Sequence, residues 1–73
     1  MDEQEYIQKL GERIKQLRKK KGISQTDLAY DCDFEKQNMR RIEAGKTNPT
    51  IKTLLKISQA LKISISEIVK NFD

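Results

Sequence analysis

The sequence predicts a compact all-α fold of five short helices. Apolar residues recur at spacings of three and four in successive blocks, and Ser or Thr stands in front of several blocks as an N-cap. With 36% apolar and 36% charged residues, the apolar side chains are grouped rather than dispersed. The 73 residues support one domain over 1–73 with a core from about 7 to 72. A domain of this size buries only about 60% of the surface its unfolded chain exposes, so a few well-placed side chains must make the core.

Ile7, Leu10, Ile14 and Leu17 form one stripe on a first helix of about residues 4–20 that stops at Gly22. Ser24, with Asp27 three residues on, makes a capping-box arrangement for a second helix, Gln25 to Cys32, that buries Leu28, Ala29 and Cys32. Asp33 and Phe34 supply the turn, Asp being one of the few non-glycine residues that tolerates a left-handed backbone, and Phe34 plugs the junction. The third helix, about Glu35 to Ala44, ends at Gly45. At 100° per residue, Met39, Ile42 and Glu43 fall on one side of it, and Gln37, Arg40, Arg41 and Ala44 on the other. Lys46 to Pro49 is a loop, and Thr50 caps a fourth helix whose Ile51, Leu54, Ile57 and Leu61 keep helical spacing. Ser64 and Glu67 make a capping box for a fifth helix carrying Ile65, Ile68, Val69 and Phe72.

Composition narrows the function. Cys32 is the single cysteine and there is no histidine, so an internal disulfide and the usual zinc ligand sets are excluded, and neither a metal nor a cofactor is expected. Cys32 reads as a small core residue, the alternative being a redox thiol. No Ser/His/Asp or Cys/His set, phosphate-cradling glycine loop or metal-spaced carboxylate group is present, which argues against an enzyme. No apolar run approaches the roughly 20 residues that span a bilayer, and the acidic start has no signal-peptide pattern, so a cytoplasmic protein without membrane attachment is expected.

The net charge of +4 matters less than its placement. Residues 24–46 hold four Lys/Arg against five acids, yet Asp27, Asp31, Asp33 and Glu35 come first, and Lys36, Arg40, Arg41 and Lys46 follow with only Glu43 against them. Two short helices joined by a tight turn, the second presenting long polar side chains, is the helix-turn-helix arrangement that reads a DNA groove. Lys19, Lys20 and Lys21 read mainly as a solvated helix end favoured by the helix dipole, with phosphate contact as the alternative.

The chain resembles the phage-repressor and Cro-like helix-turn-helix family, the xenobiotic-response-element type. The matching elements are Leu10 to Arg18, Gly22-Ile23-Ser24-Gln25, Leu28-Ala29, Arg41 to Lys46, Asn48-Pro49-Thr50 and Leu54 to Ile57, in order along nearly the whole chain. It departs from the family at Asp33, where glycine is usual, and at Glu35, where Ser or Thr usually caps the third helix. The resemblance implies a lambda-repressor-like five-helix domain with the helix-turn-helix at helices two and three.

Carried over by position, the resemblance implies base contacts in the major groove from Lys36, Gln37 and Arg41, with Arg40 within reach of a base or a phosphate. Arg and Lys suit guanine, and Gln suits adenine. It implies phosphate contacts from Gln25 and from the loop residues Lys46, Thr47 and Asn48, with Lys52 at the start of helix four and Asn38 at the edge of the third helix adding to them. A plain solvated side chain is the alternative for Gln25 and for Lys36, Gln37, Arg40 and Arg41. Arg18 and Glu43 are expected to form a partly buried structural ion pair between helices one and three.

These residues lead to a homodimeric regulator of transcription, a repressor or autoregulator, on a palindromic double-stranded operator with half-sites about 34–36 Å apart. Val69 and Phe72 are the candidates for the homodimer seam; the alternative is that Ile65, Ile68, Val69 and Phe72 all close the monomer core. The rival from another class is a helical protein-interaction module, antitoxin-like or a scaffold, with weak or no specific DNA binding. Its support is the acidic collar of Asp27, Asp31, Asp33 and Glu35.

Overall fold

A computed structural model describes residues 2–70, and these form five α-helices: α1 Glu3–Lys20, α2 Gln25–Asp31, α3 Lys36–Glu43, α4 Ile51–Leu61 and α5 Ile65–Ile68. Four of the helices start on a side chain that accepts a free backbone N–H. Asp2 accepts from Glu5, Ser24 from Asp27, Thr50 from Thr53 and Ser64 from Glu67, at 2.9 to 3.2 Å. The long α1 also carries Glu3 and Glu5 in its first turn and Arg18, Lys19 and Lys20 in its last, the charge order that its dipole favours.

Helix ends are set by residues that accept a left-handed backbone. Gly22 and Gly45 have φ of 72°, and Asp33 and Lys62 adopt φ of 60° and 58° without being glycine. Asp33 is therefore the turn residue the sequence suggests. The N–H of Phe34 reaches back to the Ala29 carbonyl at 2.8 Å, so α2 closes and the chain turns within a few residues.

The core is built from Ile14 and Leu17 of α1, Leu28 and Ala29 of α2 with Cys32 at its cap, Met39 and Ile42 of α3, Leu54, Ile57 and Leu61 of α4, and Ile68 of α5. Leu10, Ile23, Phe34, Ala60, Ile63 and Ile65 pack against it while half-buried. Burial of this kind is worth roughly 25 cal/mol per Å² of apolar surface and holds together helices too short to stand alone.

Three points of the helix reading change. Asp27 donates its N–H to Ser24, but its carboxylate makes no hydrogen bond back to the cap, so that capping box is half formed. Ile51 keeps helical spacing with the core residues of α4 but, as the first residue of the helix, is 65% exposed. Glu67 donates its N–H to Ser64, but its carboxylate takes Arg13 of α1 at 2.9 Å instead of returning to the cap. Arg13 Nε and Nη2 also donate to the Glu67 carbonyl at 3.3 and 3.0 Å. The single turn of α5 is thus tied to α1.

Gly11 marks the tightest approach in the fold. A Cβ there would lie 2.9 Å from the Glu43 carbonyl oxygen and closer still to that of Ile42, so α1 and α3 cross with backbone against backbone. That crossing places α3 on the outside of the molecule with one full face free.

Candidate nucleic-acid interface

The candidate interface begins with the two faces of α3. Met39, Ile42 and Glu43 are buried, and Lys36, Gln37, Asn38, Arg40 and Arg41 are exposed. The side chains of Lys36, Gln37, Arg40 and Arg41 make no hydrogen bond or ion pair within the described residues. Three of the four are cations, and all four carry N–H donors on flexible stems.

Behind this face lies a polar network that fixes its orientation. Arg18 Nε and Nη2 donate to the two oxygens of the Glu43 carboxylate at 2.7 and 3.0 Å, and Arg18 Nη1 donates to the Ile23 carbonyl at 2.8 Å. Gln25 Nε2 adds a bond to Glu43 Oε1 at 3.0 Å. One carboxylate therefore joins α1, the start of α2 and the end of α3. No buried side-chain polar atom among the described residues lacks a partner, so the cost of taking these charges out of water is met by hydrogen bonds.

Three of the residues assigned to phosphate line one cleft. Asn38, Thr47 and Asn48 come together around it, and Ile42, Thr50 and Thr53 also line it. Lys46 is exposed at the end of α3, where its N–H closes the helix on the Arg41 carbonyl at 2.9 Å. Lys52 is exposed in the first turn of α4. Gln25 is half-buried, with its amide turned toward Glu43, which leaves one N–H and its carbonyl for other partners. That inward bond is a feature the sequence reading missed; only the pairing of Gln25 with a carboxylate eighteen residues on carries it, and no local spacing signals it.

Three of the four acidic collar residues belong to α2 and the turn that follows it, and the fourth, Glu35, adjoins the open face. Asp27 and Asp31 are exposed on α2, and Asp31 and Asp33 border a hollow with Lys56 and Gln59 of α4. Glu35 is at the N-cap of α3. In the same corner Lys56 Nζ stands 5.7 Å from the centre of the Phe34 ring, a cation–π contact that covers the turn. Burial, with the charge of Asp31 beside it, pushes the Cys32 thiol up to about 11, so at neutral pH it is a protonated core group rather than a nucleophile. Among the described residues no three His, Cys, Asp or Glu side chains are grouped to hold a metal ion.

Val69, at the end of α5, is 40% exposed and borders a shallow apolar hollow with Tyr6, Ile7, Leu10 and Asn48. Phe72, the other residue assigned to a dimer seam, lies outside the described residues. Leu55 and Ile51 add exposed apolar surface on α4 that helical periodicity alone assigns to the interior or leaves unremarked.

A helix capped by Ser24, a left-handed turn residue and a second helix with one packed and one open face define a helix-turn-helix. A family model described as helix-turn-helix matches residues 14–68, and the chain belongs to that family, the DNA-binding transcription regulators of phage-repressor and Cro-like type, which are not enzymes. It is 34% identical over 64 residues to an uncharacterized HTH-type transcriptional regulator, y4dJ, of Sinorhizobium fredii, covering 88% of this chain and 83% of that one. Its fold matches the restriction-modification controller protein C.AhdI of Aeromonas hydrophila with a TM-score of 0.83 at 32% identity, over 85% of this chain and 94% of that one. It matches the biofilm regulator SinR, solved in complex with DNA, with a TM-score of 0.77 at 39% identity, over 84% and 98% of the two chains. The chain spans 59% of the full-length SinR of Bacillus licheniformis and 55% of that of Bacillus subtilis. No helix among the described residues is long and apolar enough to cross a membrane.

Proposed function

We propose that this chain is a sequence-specific double-stranded DNA-binding regulator of transcription that places α3 in the major groove. The observation that carries the reading is the split of α3: a packed face held by Arg18 and Gln25 through Glu43, and an open face on which Lys36, Gln37, Arg40 and Arg41 are uncommitted. Gln37 and Arg41 read bases, with Lys36 and Arg40 beside them; Asn38, Lys46, Thr47, Asn48, Lys52 and the free N–H of Gln25 hold the phosphates that fix register. Asp31 and Asp33 border a hollow with Lys56 of α4, so part of the acidic charge is set beside a cation of the same chain.

One such helix reads about four base pairs, too few to define an operator. The working unit in this reading is a cytoplasmic homodimer on a palindromic site, joined through Val69 and Phe72, acting as a repressor or autoregulator. The presence of a DNA-bound relative, SinR, supports the DNA reading, and the exposure of Val69 supports the seam.

The experiment is selection from random duplexes with wild type and Arg41→Ala, over a salt series. An enriched palindrome that the variant relaxes at one position per half-site is the expected result. Weak, salt-sensitive binding with no enriched sequence would remove the specific-regulator reading, and enrichment of an unpaired single half-site would remove the homodimer.

A further inference from the structure

Resting on that reading of α3, we infer that Glu35 reads cytosine in the DNA site. The backbone of Glu35 takes the N-cap position of α3, φ −70° and ψ 147°, but its side chain makes no capping hydrogen bond. Every other helix uses its cap side chain for that purpose, as Asp2, Ser24, Thr50 and Ser64 do. Neither ion pair among the described residues involves Glu35, and the residue is exposed. An exposed carboxylate that neither caps nor pairs therefore adjoins Lys36 and Gln37 at the start of α3.

The donor and acceptor inventory of the interface points to its partner. Lys36, Arg40 and Arg41 have donors only, and Gln37 and Asn38 have one amide with both. Glu43 is buried, with both oxygens engaged by Arg18 and Gln25. Within residues 35–43, Glu35 is thus the one exposed acceptor-only side chain. In the major groove guanine offers acceptors, adenine and thymine offer mixed or acceptor edges, and cytosine offers only its N4 amino donor. A carboxylate suits that amino group and is repelled by the acceptor edge of guanine, so it supplies the complement that the cationic side chains cannot.

The test compares the full chain with Glu35→Ser and Glu35→Gln. Ser suits the cap position, so the fold is kept, and thermal melts of the free proteins check this. In duplex selection the wild type enriches cytosine at one position per half-site by roughly tenfold over the other bases, and Glu35→Ser loses that enrichment while keeping the positions read by Gln37 and Arg41. Replacing the enriched cytosine by N4-methylcytosine, which puts a methyl group on the amino donor, weakens the wild type about tenfold and leaves Glu35→Ser unaffected. Glu35→Gln, with a donor as well as an acceptor, accepts adenine there. If the variants bind every duplex more tightly with an unchanged motif, the carboxylate only repels phosphate and the inference fails. If the wild type itself enriches no sequence, it is the DNA reading of α3 that fails, and the inference goes with it.

Discussion

Arg18 of α1 grips Glu43 of α3 through two parallel hydrogen bonds, 2.7 and 3.0 Å long, with side-chain exposures of only 9% and 2%. The pair sits directly beneath the open face of α3, so the geometry of that face depends on a charge contact made on its hidden side.

Removing one partner strands the other. Glu43→Ala leaves the Arg18 guanidinium with only the Ile23 carbonyl and leaves Gln25 without its acceptor, and a loss of roughly 3–5 kcal/mol is expected. Urea denaturation followed by circular dichroism measures it; a variant as stable as wild type would show that the network is dispensable. The pair Arg18→Met with Glu43→Leu recovers part of the loss, since it removes both charges together.

Gly11→Ala sets helix propensity against packing. Alanine favours a helix by about 1 kcal/mol over glycine. Here the added methyl group meets the carbonyls of Ile42 and Glu43, which are backbone atoms of a packed helix and cannot swing away. A net destabilisation of about 2–3 kcal/mol is expected, and any gain in the urea midpoint would contradict the crossing distance.

At Lys62 the balance runs the other way. Its φ of 58° costs a non-glycine residue roughly 1 kcal/mol, and the side chain is exposed, so Lys62→Gly raises stability by about that amount. Gly22→Ala, at φ 72° with no atom within 4 Å of the added carbon, lowers it by a similar amount through backbone strain alone. Thermal melts of the two single variants should move in opposite directions.

Cys32 gives the fold a limit in alkali. Its thiol titrates near 11 in the folded chain against 9.0 when unperturbed, so the folded state holds the proton more tightly. Stability is therefore unaffected below about pH 9 and falls between pH 9 and 11, by up to about 1.4 kcal/mol per pH unit. Melts of wild type and Cys32→Ala from pH 7 upward separate this from lysine and tyrosine titration, which both share. A wild type that tracks the variant across the window would exclude the thiol, and rapid labelling of native Cys32 by a thiol reagent at neutral pH would contradict its burial.

What was legible in the sequence was local. Ser24, Thr50 and Ser64 announce helix starts because a short hydroxyl reaches an amide three residues on, and Asp33 announces the turn because few side chains accept its backbone. The two faces of α3 follow from periodicity, since Met39, Ile42 and Glu43 share a side. Long-range choices were not legible. Whether Glu67 returns to its own cap or reaches Arg13, 54 residues away, is decided by where α5 packs. The inward turn of Gln25 and the exposure of Ile51 depend likewise on neighbours that no local pattern names.

The side chains of the open face of α3 add no hydrogen bond or ion pair to the fold, because Lys36, Gln37, Arg40 and Arg41 bond to no other side chain among the described residues. Exchanging them is close to neutral for folding, whereas a change at Met39, Ile42 or Glu43 is not. Heredity can therefore rewrite what this surface recognises one letter at a time without the lineage ever passing through an unfolded ancestor.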